Sequence, residues 1–158
     1  MSDDLYKKIY NKSLDLLSRR EHSKKELKQK LSSRFKEEQL IQLVLEKLIS
    51  NDLLNDIRFA ESYVASRKRK GFGPKRISYE LKSKGVPDEI SIQAISREGG
   101  WNIAAKKAFE KKFNNNASKD TKEILKQKNF LHNRGFSFRE IETVFGNDMI
   151  WFFCYVLR

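Results

Sequence analysis

Residues 56–64, Asp56-Ile57-Arg58-Phe59-Ala60-Glu61-Ser62-Tyr63-Val64, followed by 71–81, Gly71-Phe72-Gly73-Pro74-Lys75-Arg76-Ile77-Ser78-Tyr79-Glu80-Leu81, decide the fold. In the first stretch Phe59, Ala60, Tyr63 and Val64 recur at helical spacing, and Asn55-Asp56 supply an N-terminal cap, so a helix runs to about Lys70. Gly71-Phe72-Gly73 is a turn. Pro74 then occupies the first position of a new helix, where its missing N–H is not needed. Ile77 and Leu81 give that second, short helix one apolar edge, and Gly85-Val86-Pro87 ends it. A third helix starts at Asp88 and carries Ile90, Ala94 and Ile95.

Working outward, the same plan stands fifty residues earlier. Leu5, Ile9 and Leu16 mark a helix ending near Arg20, and Leu27 and Leu31 sit where Ile77 and Leu81 sit later. Leu40, Ile41, Val44, Leu45, Leu48 and Ile49 form a broad apolar stripe on a helix from about Glu37 to Ser50. Ser23 and Glu26 have capping-box spacing at the start of the short helix. A partial copy lies sixty-four residues after the middle one. There Arg134-Gly135-Phe136 is the turn, Ser137 and Glu140 repeat the capping box, and Ile141 and Phe145 replace Ile77 and Leu81. Helices around Ile103–Phe113 and from Lys119 to about Asn133 precede it, separated by Asn114-Asn115-Asn116-Ala117-Ser118. Since fifty is not tied to the helical period, the recurrence is an internal repeat. The expected fold class is all-α: tandem three-helix repeats in an elongated, curved array. The expected domains are repeat 1 at 1–54, repeat 2 at 55–98, and repeat 3 at 99–158. The last has an extra leading helix and an apolar ending, Ile150 to Leu157, that breaks the amphipathic pattern.

Composition narrows the function. Gly and Pro number 7 and 2 in 158 residues, too few for a turn-rich β fold. Eleven Phe and five Tyr supply a core. Thirty-three Lys and Arg against 21 Asp and Glu leave a formal charge of +12, which points to a polyanionic partner. The single cysteine, Cys154, leaves no internal disulfide and no cysteine-based zinc site, as suits a reducing cytosol. Met1-Ser2-Asp3-Asp4 carries no secretory signature, and Met149–Leu157 is too short to span a bilayer as a helix, so a cytoplasmic protein without membrane contact is expected.

The chemistry is that of binding. Gly71-Phe72-Gly73-Pro74-Lys75 lacks the strand and spacing of a phosphate-binding loop. His22 and His132 have no partner at metal-ligand spacing and read as surface or cap-adjacent residues. No nucleophile–base grouping can be assembled, so no catalytic residue, metal or cofactor is expected. The informative cluster is Arg67, Lys68, Arg69, Lys70, Lys75 and Arg76: six cations in ten residues, no acid among them, bracketing the turn before a helix start. Phe72, in its middle, is suited to stack on a base or to plug an apolar pocket. Arg134 and Arg139 occupy related places in the third copy, and Arg19, Arg20, Lys24 and Lys25 in the first. Cations ending helices also balance the helix dipole, and for the first and third copies that explanation stands level with binding.

Leu16-Leu17 with Arg20-Glu21-His22-Ser23-Lys24-Lys25-Glu26-Leu27 resembles the opening of RecX family proteins. So do the two quoted stretches with Lys84-Gly85-Val86, and so does Lys126-Gln127-Lys128-Asn129-Phe130-Leu131 with Arg134-Gly135-Phe136. The resemblance covers nearly all of residues 10–146 in order and spacing; the ending after Gly146 departs from it. It implies tandem three-helix repeats and a bacterial regulator without enzymatic activity. Such a protein acts on RecA and the RecA–DNA filament, restraining ATP hydrolysis, strand exchange and coprotease action in recombination, DNA repair and the SOS response. It also implies a monomer that binds DNA, single- or double-stranded, through a basic face. On this reading Arg67, Lys68, Arg69, Lys70, Phe72, Lys75, Arg76, Arg134 and Arg139 are the expected DNA- or RecA-binding residues. The alternative is a stand-alone DNA-binding protein with helix-turn-helix-like modules, for which only Lys75 and Arg76 are well placed as base readers.

Overall fold

The computed structural model describes residues 2–146. The apolar stretch 149–157 and Cys154 lie outside the described residues. Within them the chain forms nine α-helices and no strand: α1 Ser2–Arg19, α2 Lys24–Ser32, α3 Glu38–Ser50, α4 Asp56–Arg69, α5 Pro74–Ser83, α6 Asp88–Glu98, α7 Trp101–Phe113, α8 Thr121–Asn133 and α9 Phe138–Val144. The fold is all-α, as the apolar periodicity requires. Two starts shift: α7 begins at Trp101, two residues before Ile103, and α8 begins two residues after Lys119. Asp120 caps it, its Oδ2 accepting from Glu123 N at 3.3 Å, while Ser118 Oγ accepts from Asp120 N at 3.1 Å. Those two side chains hold Lys119 outside the helix.

The residues group into two compact units, Met1–Tyr63 with Glu80–Ala94, and Val64–Tyr79 with Ile95 onward. In the first, α1, α2 and α3 pack mutually around Ile9, Leu27, Leu31, Ile41, Val44, Leu45, Leu48 and Leu54. Burying side chains of this size stabilises by about 1.5–3 kcal/mol each. The short helix begins as its sequence asks: Ser23 Oγ accepts from Glu26 N at 3.1 Å. The return half of the capping box is missing, because Glu26 turns to Arg20 and Lys84 instead. His22 is buried, not on the surface. Its Nδ1 lies 3.0 Å from the Arg20 carbonyl and its Nε2 3.1 Å from Lys30 Nζ. An ammonium only donates, so Nε2 accepts and Nδ1 carries the proton.

In the second unit α7, α8 and α9 pack mutually around Ala104, Ala105, Ala108, Phe109, Leu131, Phe136 and Ile141. The leading helix α7 is thus the one that covers α8 and α9 among the described residues. Here the capping box is complete: Ser137 Oγ accepts from Glu140 N at 3.2 Å and Glu140 Oε2 accepts from Ser137 N at 2.7 Å. Leu27, Ile77, Leu31 and Leu81 are fully buried and Ile141 is 4% exposed, while Phe145, at the place of Leu81, is only partly buried.

Candidate nucleic-acid interface

The site lies in the second unit, where the turn between α4 and α5 meets the turn between α8 and α9. Gly73 N–H donates to the Arg134 carbonyl at 2.7 Å and Lys75 N–H donates to the Gly135 carbonyl at 3.0 Å. These are early amides of α5 and carbonyls at the end of α8, so helix ends of opposite polarity satisfy one another. The approach is close enough to require glycine on both sides. A Cβ on Gly73 would stand 2.5 Å from the Gly135 carbonyl, and one on Gly135, at φ +93°, would stand 2.5 Å from Arg76.

This meeting of turns gathers three of the cations singled out from the sequence. The half-buried Phe72 ring has the Arg67 guanidinium 3.7 Å from its centroid, Arg134 at 4.7 Å and Arg76 at 4.8 Å. Each contact is a cation–π attraction worth about 0.5–1 kcal/mol in an exposed setting. Arg134 lies 5.1 Å from the Phe130 centroid, and its Nη1 donates to the Lys70 carbonyl at 3.4 Å. Phe72 therefore serves to collect guanidinium groups; with Arg67 against it, the ring is not free to sandwich a base.

The remaining residues divide. Arg69, Lys70 and Lys75 are exposed and form no ion pair among the described residues. Lys68 is held, 3.2 Å from Glu98 and 5.5 Å from the Trp101 ring centroid. Arg139 is exposed on α9 and outside the cluster at Phe72. In the first unit the cations of the first copy are engaged locally: Arg19 with Asp15 at 3.2 Å, Arg20 with Glu26 at 3.0 Å, and Lys25 Nζ with the Ser83 carbonyl at 3.1 Å. Sequence reading passed over the lysines of α7. Lys107 and Lys111 line the concavity beside Arg69, and Lys111 and Lys112 the one beside Lys70 and Arg134. Their signal was there to read: two lysines four apart, flanking the small residues Ala104 and Ala108.

No group of three or more His, Cys, Asp or Glu is placed to hold a metal among the described residues, and no helix there is long and apolar enough to cross a membrane.

Comparison with known proteins gives one result. Profiles described as the first, second and third three-helix domains of RecX match residues 10–48, 55–95 and 104–145. The Regulatory protein RecX of Pseudomonas fluorescens (strain SBW25) is 38% identical over 140 residues, 87% of this chain and 90% of its own. That of Vibrio campbellii is 41% identical over 130 residues, 82% of this chain and 84% of its own. The crystal structure of RecX from Lactobacillus salivarius aligns with a TM-score of 0.74 at 29% identity, covering 94% of this chain and 99% of that one.

Proposed function

The chain belongs to the RecX family, and from that membership we propose that it is a non-enzymatic regulator of RecA. It binds RecA and the RecA–DNA filament as a cytoplasmic monomer and restrains ATP hydrolysis, strand exchange and coprotease action, modulating recombination and repair. The observation that carries the reading is the gathering of Arg67, Arg76 and Arg134 around Phe72, with Arg69, Lys70 and Lys75 exposed nearby in sequence. Phosphates along a DNA strand, or carboxylates on RecA, are the anions such a cluster attracts.

Repeated modules joined in one chain engage a polymer at several points, so weak contacts reinforce one another through effective concentration. Holding neighbouring RecA subunits in one arrangement, or covering a growing filament end, biases the filament equilibrium with no bond made or broken. Because the contacts are between charges, they weaken as salt screens them.

The test is a titration into RecA, single-stranded DNA and ATP. Hydrolysis slows at substoichiometric amounts of the protein; no slowing at any ratio in low salt removes the reading. Replacing Arg67, Arg69, Lys70 and Arg76 together by Ala weakens the effect and its salt dependence while helicity stays unchanged. Unaltered restraint by that variant places the contact surface elsewhere.

A further inference from the structure

In the second unit a concavity of about 310 Å³ opens between the end of α4 and the flank of α7. Its floor is made of small residues, Gly71, Ala104 and Ala108, and its rim carries Arg69, Lys68, Lys107 and Lys111. The one acid in the lining, Glu98, is already paired with Lys68 at 3.2 Å. A second concavity, about 190 Å³, shares Gly71, Ala108 and Lys111 and is rimmed by Lys70, Lys112 and Arg134 with no acid in its lining. The first sits at the lower limit of ligand pockets, about 300 Å³, and the second below it.

Lys111 lies in the last turn of α7, where a cation balances the helix dipole, but Lys107 lies a turn earlier. Lys107 and Lys111 stand four apart on one helix edge, an arrangement that destabilises a helix by about 0.2–0.5 kcal/mol. Neither forms an ion pair among the described residues, and both are exposed. The exposed Ile103, 63% accessible, continues the same edge and offers an apolar contact beside the charges. A polymer with anions at regular intervals and apolar rings between them fits that order of groups.

We propose that the α7 edge, Lys107 and Lys111 facing Arg69 across the small-residue floor, is a phosphodiester track that carries a nucleic-acid backbone past the arginine cluster at Phe72. This rests on the nucleic-acid part of the proposed function and extends it to a helix that the family resemblance did not single out. Lys107 and Lys111 each contact a phosphate; Ile103 packs against a sugar or base edge. The shared chemistry is the phosphodiester, and single strand and duplex differ in the salt response they give.

The experiment measures binding of a fluorescent oligonucleotide, single-stranded or duplex, to the full chain as salt is varied. The variants are Lys107→Gln with Lys111→Gln, and the Arg67, Arg69, Lys70, Arg76 alanine variant. Losing two phosphate contacts lowers the slope of log affinity against log salt by about 1.4 for a single strand and about 1.8 for a duplex. Affinity falls several-fold at low salt. In parallel, amine acetylation of the wild-type chain is compared with and without oligonucleotide. Lys107 and Lys111 are protected several-fold and the exposed Lys122 is not, a readout independent of any variant's folding. If the lysine variant keeps affinity and slope while the arginine variant loses them, the α7 track is wrong and the reading of the arginine cluster stands. If the wild-type chain binds neither oligonucleotide, both fall. Equal protection of Lys107 and Lys111 by polyglutamate overturns the track in favour of an acidic protein surface.

Discussion

Two corners of this molecule are built from the same repeat and hold their cations against different neighbours. In the first unit the start of α2 meets the end of α5: Ser23 Oγ donates to the Lys84 carbonyl at 2.8 Å and Lys25 Nζ to the Ser83 carbonyl at 3.1 Å. Acids stand beside several of the charges there. Glu26 takes Arg20 at 3.0 Å and Lys84 at 3.3 Å, and Glu21 takes Arg58 at 3.0 Å. In the second unit the comparable corner holds its arginines on an aromatic ring and a backbone carbonyl. Glu26, Glu21 and Asp15 hold the first corner through ion pairs, whereas Phe72 gathers the arginines of the second at its ring.

The sharpest way to break this comparison is at the glycines. Gly73→Ala forces a Cβ to within 2.5 Å of backbone carbonyl carbon and oxygen of Gly135. It loses about 3–5 kcal/mol of stability, read by denaturant unfolding. Gly85→Ala at the first corner, with φ +77° and a Cβ 2.8 Å from Lys25 side-chain atoms, loses about 1–3 kcal/mol, since a side chain moves more easily than backbone. Equal losses would mean that the two corners are alike. Next come the cores. Leu45→Ala in the first unit and Leu131→Ala in the second, both fully buried, each lose about 2–5 kcal/mol in the same assay. Near-neutral outcomes would undo the packing described for that unit.

Smaller in effect is the charge network of the first corner. Burial works to raise the Glu26 carboxyl, but the Arg20 hydrogen bond and charge together with Lys84 outweigh it and bring it from 4.5 to about 2. Its contribution to stability is complete above pH 4.5 and is lost as pH falls toward 2. Burial likewise lowers His22 below its ordinary 6.5, helped by the charges of Arg20 and Lys30 and opposed by the backbone hydrogen bond to Arg20 and by Glu26. The folded state prefers neutral His22, so this contribution is complete above pH 6.5 and declines as acid protonates it. Stability of the first corner therefore falls on acidification in two stages. Glu26→Gln removes the lower stage and costs about 1–2 kcal/mol at neutral pH, after allowance for solvent screening. A pH profile of unfolding that is unchanged in this variant would show the network to be idle. The last test is Phe72→Leu. It keeps the bulk but loses the ring's attraction for three guanidinium groups, about 0.5–1 kcal/mol per contact. Filament or DNA affinity drops a few-fold and the melting temperature falls by a few degrees. A large drop in melting temperature with unchanged affinity would make Phe72 a core residue only.

Most of the helices could be read directly. Apolar spacing, Ser23, Ser137 and Pro74 specify local structure through nearby atoms, and those features need only neighbours in sequence. Legible too was the density of positive charge from Arg67 to Arg76. What the sequence could not convey was which neighbour each cation would meet. Arg20 lies against Glu26 and Arg67 against the Phe72 ring, side-chain contacts that spacing alone does not report. The complete box at Ser137 and the half box at Ser23 have the same four-residue spelling for the same reason: Lys84, fifty-eight residues away, draws Glu26 off. His22 is cap-adjacent as expected, before Ser23, but its burial depends on what covers it, and no periodicity reports that. Lys107 and Lys111 passed unnoticed because they share α7 with Glu110 and alanines, and their company in space is the α4–α5 turn.

The amides of Gly73 and Lys75 end on the carbonyls of Arg134 and Gly135. Two protons in the middle of the chain are thereby sealed by residues sixty positions further on. Their rate of exchange with deuterated solvent is a natural clock for attachment of α8–α9: slow while the two turns are closed, fast the moment they part. Followed with and without a filament, that clock would tell whether the last module loosens or tightens when the regulator is at work.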